Sequence, residues 1–140
     1  MHVPLLPFPL SAGFPSPAMD WFARHLALED LLIRHPDTTY YAYVVGHSMQ
    51  RAGIDEGDLV VIDRALDAED GATIVARLGK EFTLKRLAIT GSHRWLRAAH
   101  PAHPDIEVSG RDDFAVWGVV THAVRSFREP FPHISVKRGE

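Results

Sequence analysis

Two runs of alternating residues, Ala72–Leu78 and Glu81–Ile89, are separated only by Gly79-Lys80. A two-residue link with glycine first is what a type II′ turn prefers, because its backbone twist matches that of the paired strands. This hairpin commits the middle of the chain to antiparallel β structure. Neighbouring segments agree with it. Thr39–Val45 and Leu59–Asp63 are rich in β-branched and aromatic residues and end in polar or glycine punctuation. Arg94–Ala98 reads as a further strand. Phe114–Val124 reads as a long central strand in which Gly118 marks a bulge or a close approach.

The ends of the chain behave differently. Residues 1–17 hold five of the ten prolines, which fix φ and remove backbone donors, so an extended apolar arm lying on a surface is expected. From Asp20 to Arg34 the spacing of Trp21, Phe22, Leu26, Leu28, Leu31, Leu32 and Ile33 predicts one or two short helical turns, ended by His35-Pro36. Met49–Ala52 is a further short helix, and Glu129–Glu140 is a polar tail. The layout is therefore an arm over 1–29, a β core over 30–128 and a tail over 129–140.

Composition excludes several functions. At 140 residues and 46% hydrophobic content the chain can bury one core without staples. It contains no cysteine, which removes disulfides, thiolate catalysis and Cys-based zinc sites. A net charge of −3 and a pI near 6.3 argue against gripping nucleic acid through a basic face of its own. No apolar run reaches the roughly 18 residues needed to span a bilayer. The apolar start, Met1–Leu10, lacks Lys and Arg and is broken by prolines, unlike a secretory signal, so the cytoplasm is the expected address.

Three features carry chemistry. Ser48, in Val44-Val45-Gly46-His47-Ser48-Met49, stands where a strand gives way to a helical turn. Its hydroxyl could cap that turn, or attack a carbonyl whose oxyanion the free N–H groups would hold. His47 adjoins it but would point to the opposite face, and the arginine at position 51 stays protonated, so a distant base is needed. Lys85 lies 37 residues later in Glu81-Phe82-Thr83-Leu84-Lys85-Arg86-Leu87, among apolar neighbours. It is either a base whose pKa burial lowers or a lysine protecting an edge strand. In the arm, Leu10-Ser11-Ala12-Gly13 echoes a signal-peptidase site, with a small residue before the bond; the alternative is a flexible link.

Weaker patterns point to loops. His100-Pro101-Ala102-His103, with His93 nearby, lacks a third patterned metal ligand. Asp55-Glu56-Gly57-Asp58 lacks the alternate-position ligands of a Ca²⁺ loop and reads as a turn. Neither a metal nor a cofactor is expected. Trp21, Trp95 and Trp117 read as core or interface residues.

The motifs also occur together and in order. Gly13-Phe14-Pro15-Ser16-Pro17-Ala18, Leu31-Leu32-Ile33-Arg34-His35-Pro36, Gly46-His47-Ser48-Met49, Gly57-Asp58-Leu59-Val60-Val61-Ile62-Asp63, Glu81–Leu87 and Val116-Trp117-Gly118-Val119-Val120 span roughly residues 8–128. In this the chain resembles the UmuD group of the LexA-like self-cleaving serine peptidases. The resemblance implies a mostly β, LexA/signal-peptidase-like domain with an extended N-terminal arm, and a homodimer. It implies Ser48 as nucleophile, Lys85 as general base and a cut between Ala12 and Gly13 stimulated by RecA filaments on single-stranded DNA. The shortened form would join a UmuC-type Y-family lesion-bypass polymerase, with no sequence-specific DNA binding and no membrane of its own. Backbone N–H groups of Ser48 and Met49 would hold the oxyanion. His47 occupies a position that varies in the group.

Rival readings are a LexA-type repressor peptidase domain and an adaptor that kept the fold and lost the activity. A repressor is disfavoured because only 47 residues precede Ser48 and they are Pro-rich and poor in basic residues. The adaptor stays open, because the presence of both residues does not establish their geometry.

Overall fold

The computed structural model describes residues 1–13, 24–129 and 131, so Phe14–Ala18, Trp21 and most of the tail lie outside the described residues. The chain divides into two compact units, Met1–Arg34 and His35–Glu140.

In the first unit, β1 (Val3–Leu5) pairs antiparallel with β2 (Arg24–Leu26), Val3 opposite Leu26 and Leu5 opposite Arg24. A five-residue helix, α1 (Leu28–Leu32), follows. The helical expectation over Asp20–Arg34 is therefore corrected at Arg24–Leu26, which is strand. So short an apolar segment has no helical preference strong enough to survive when an extended segment offers ladder hydrogen bonds. The helix stops at Ile33, before His35-Pro36, because the residues leading into proline are pushed towards extended backbone.

The second unit contains β3 (Thr39–Tyr43), β4 (Leu59–Asp63), β5 (Thr73–Leu78), β6 (Glu81–Thr90), β7 (His93–Arg97), β8 (Ile106–Glu107) and β9 (Phe114–Val124). They form one antiparallel sheet in the order β3-β4-β9-β5-β6-β7-β8. The mostly β architecture is thus what the sequence led us to expect. Leu78 pairs with Glu81 across the Gly79-Lys80 turn, and β4 and β9 match their expected limits. β3 ends two residues early, at Tyr43, yet the pairing continues as single bonds: the Val44 N–H donates to Asp58 O, and the Gly57 N–H to Val44 O.

Two apolar clusters follow from the period-two alternation. Val44, Met49, Ile54, Val60 and Ile62 form one, with Val75 and Leu84 against it. Ile74, Ala76, Leu87, Leu96 and Val108 form the other. The central β9 is bulged twice, between the partners of Val75 and Ala76 and between those of Val61 and Ile62. Gly118 lies at the first bulge, where a Cβ would stand 2.5 Å from Ile62 Cγ2, so β9 passes closer to β4 than any side chain allows. Just beside it Trp117 packs against Tyr40 and Phe82, with ring centroids 5.1 and 5.7 Å away.

Candidate active site

The loop from Val44 to Asp58 joins β3 to β4 and carries Ser48. Gly46 opens it at φ +86°, a conformation that L side chains rarely adopt. The chain then turns through Ser48 and Met49 into a single 3₁₀ turn, Gln50–Ala52. The Gln50 N–H donates to His47 O, those of Ala52 and Ile54 to Met49 O, and that of Arg51 to Ala99 O. Met49 is the anchor, 2% exposed within the first apolar cluster. The turn begins on Met49 rather than Ser48 and has no side-chain cap. The capping alternative for Ser48 is therefore not realised. Among the described residues the Ser48 hydroxyl makes no hydrogen bond, and the N–H groups of Ser48 and Met49 have no acceptor.

Ser48 opens onto a cleft of about 250 Å³. Tyr43, Val45, Gly46 and Met49 line it from the loop side, and Val75 of β5 with Phe82, Thr83 and Leu84 of β6 complete it. The lining is mostly apolar. Lys85 is the next residue along β6. Its register partner is Ile74, which is fully buried, so Lys85 shares a sheet face with Ile74, Ala76 and Thr83. Burial holds its amine below the usual lysine value of 10.5. Among the described residues it has neither an ion-pair partner nor a hydrogen bond, including to Ser48. β6 runs between β5 and β7, which removes the edge-strand explanation for a lysine at this position. Ala12 and Gly13 belong to the first unit and are exposed.

Sequence reasoning missed the polar frame of the loop. His47 Nδ1 lies 2.5 Å from Asp55 Oδ1, and this bond is the leading reason that the Asp55 carboxyl sits below its usual value. At the loop's end the Arg125 guanidinium donates to both oxygens of Asp58, at 2.8 and 2.7 Å, and also to Gly53 O. Hydrogen bonding from Arg125, opposed by burial, lowers the Asp58 carboxyl. The acidic run that superficially matched a Ca²⁺ loop is thus engaged with protein donors. His100 and His103 meet edge to face at 5.2 Å, and His100 Nδ1 accepts from the Ala102 N–H.

Residues 4–121 match the model of the Peptidase S24-like family. This chain belongs to the S24-like peptidases. Members of the family are self-cleaving serine peptidases of the UmuD and LexA type. MucA of Salmonella typhimurium is 39% identical over 119 residues, covering 82% of this chain and 79% of its own. ImpA of Salmonella typhimurium is 36% identical over 128 residues, covering 90% and 86%. The LexA repressor of Bordetella parapertussis is 37% identical over 118 residues, covering 84% of this S24-like chain and 54% of its own. Among the described residues no helix is long and apolar enough to cross a membrane.

Proposed function

We propose that this S24-like peptidase cuts its own chain between Ala12 and Gly13, with Ser48 as nucleophile and Lys85 as general base. The observation that carries the reading is the presence of two otherwise unexplained groups on the elements that line one cleft. A non-capping serine opens onto an apolar cleft, and an interior-strand lysine, without a counter-charge among the described residues, shares its face of β6 with Thr83, which also lines that cleft. Lys85 takes the Ser48 proton as Oγ attacks the Ala12 carbonyl, and the N–H groups of Ser48 and Met49 stabilise the oxyanion. The C–N bond breaks as the Lys85 ammonium protonates the Gly13 amine. Water then hydrolyses the Ala12 ester. Because the substrate is tethered, its high effective concentration compensates for a weak nucleophile.

On this reading a RecA filament on single-stranded DNA stimulates the cut in the cytoplasm. The shortened homodimer then serves a UmuC-type Y-family translesion polymerase. That part rests on the motif resemblance, and the similarity to MucA and ImpA over most of both chains supports it. A second reading, a non-cleaving adaptor, is favoured by one observation: no hydrogen bond joins Ser48 to Lys85 among the described residues.

Intact mass after incubation, with and without RecA filaments, separates the two. The wild type loses residues 1–12, faster as pH rises towards a midpoint below the ordinary lysine value, while Ser48→Ala and Lys85→Ala stay whole. A folded wild type that never changes mass would leave the adaptor.

A further inference from the structure

Resting on the self-cleavage reading, we propose that His47 is a positioning residue: its Nδ1–H, held by Asp55, fixes the turn that presents Ser48 to the cleft. An ionised carboxylate can only accept, so the 2.5 Å contact to Asp55 Oδ1 places the proton on Nδ1. The other ring nitrogen lies 3.6 Å from Glu56 Oε2. The same Asp55 carboxylate accepts from the Glu56 N–H at 2.8 Å and from the Gln50 side-chain amide at 3.2 Å. Donors from just before and just after Ser48 therefore converge on one group.

Ser48 has no tether of its own among the described residues, so its placement is inherited from these neighbours and from buried Met49. Gly46, immediately before His47, enters the turn at φ +86° and has no side chain of its own to hold it there. His47 is the first side chain past Gly46 to be tied down. The far end of the loop is held separately, since Asp58 accepts from the Asp55 N–H and from Arg125. The charged groups around the imidazole are thus Asp55 and Glu56, with Asp58 and Arg125 behind them. Displacing a reacting atom by about 1 Å can reduce a rate about a hundredfold, which gives this clamp its leverage.

The test is self-cleavage of the full chain, followed by intact mass across pH with RecA filaments present. His47→Ala, which lacks the donor, lowers the rate about tenfold, the equivalent of one charge-assisted hydrogen bond. The alkaline midpoint set by Lys85 stays where it was. The melting temperature changes little, because the His47 side chain is 56% exposed. His47→Asn places an amide N–H near the position of Nδ1 and restores most of the rate, a rescue that a merely structural role would not give. A His47→Ala chain that cuts at the wild-type rate, or an Asn variant no better than Ala, overturns the proposal. A second readout does not depend on cutting. The ring-nitrogen NMR signals of His47 report a proton on Nδ1 that Asp55→Ala displaces towards Nε2, and a wild type protonated on Nε2 alone overturns the clamp. A wild type that carries the Nδ1 proton yet never cuts overturns the self-cleavage reading, and the positioning role with it.

Discussion

Gly118→Ala tests the close passage of β9 beside β4. The new Cβ would stand 2.5 Å from Ile62 Cγ2 and 3.4 Å from Arg64 Cγ. Carbon atoms pack at about 3.5–4.0 Å, so the Ile62 contact must open by roughly 1 Å. The Arg64 contact is the looser of the two, although its Nε donates to Trp117 O at 2.8 Å and its guanidinium lies over the Trp117 ring. Ile62 cannot move aside: it is 2% exposed, β-branched, and packed among Val44, Met49, Ile54 and Val60. Overpacking of this kind costs about 1–3 kcal/mol, which exceeds the about 0.5–1 kcal/mol that alanine gains over glycine in an unstrained strand. A net loss of about 1–2 kcal/mol corresponds to roughly 3–7 °C in melting temperature for a chain of this size. Urea denaturation in a Ser48→Ala background keeps the chain whole during the measurement. Ile62→Ala alone is destabilising by about 2–5 kcal/mol, but in that background Gly118→Ala becomes neutral or favourable, giving a coupling of about 1–2 kcal/mol. A Gly118→Ala chain as stable as its parent, or an additive cycle, would refute the reasoning. The site is affected as well, because Trp117 at the same bulge packs on Phe82, which lines the cleft.

Two further outcomes are expected. Lys85→Met abolishes self-cleavage yet raises the melting temperature slightly at neutral pH, since it removes a charge that burial disfavours. The lysine's folded-state value is lowered, so the wild type regains stability as pH rises from that value to 10.5, and the advantage of methionine in a pH series of melts shrinks over the same range. Arg125→Met leaves the buried Asp58 carboxylate unpaired and lowers the melting temperature by several degrees at neutral pH. Asp58 sits below 3.8 in the folded wild type, so its contribution is full above that value and is lost as pH falls through the folded one. The gap between wild type and Arg125→Met therefore narrows in acid, and a gap independent of pH would contradict the pairing.

The chemistry of the site follows from where burial and charge pairing part company. Asp58 is buried with a guanidinium on both oxygens and stays ionised, whereas Lys85 is half-buried with no counter-charge among the described residues and is pushed towards its neutral form. The same desolvation is offset by a structural clamp in one case and left uncompensated in the other, where it holds the lysine amine below its usual value.

The strands were legible because alternation is a local property. β4 and β9 were readable to the residue, and Gly79-Lys80 named its own hairpin. Ser48, Met49 and the Phe82–Leu84 wall were likewise visible as motifs, although only the fold puts them around one cleft. The strand pairing of Arg24–Leu26 was not legible, since three residues carry no period and the partner lies at the start of the chain. Two-residue β8 was missed for the same reason. Whether Lys85 guards an edge or sits inside a sheet depends on β5 and β7 flanking its strand. The His47–Asp55 and Arg125–Asp58 bonds cross 8 and 67 residues, and no spacing rule anticipates either. Sequence by itself determined which segments extend and which residues bring reactive groups. Strand order, burial and charge partners were decided by tertiary structure, because they depend on contacts between segments that local patterning does not encode.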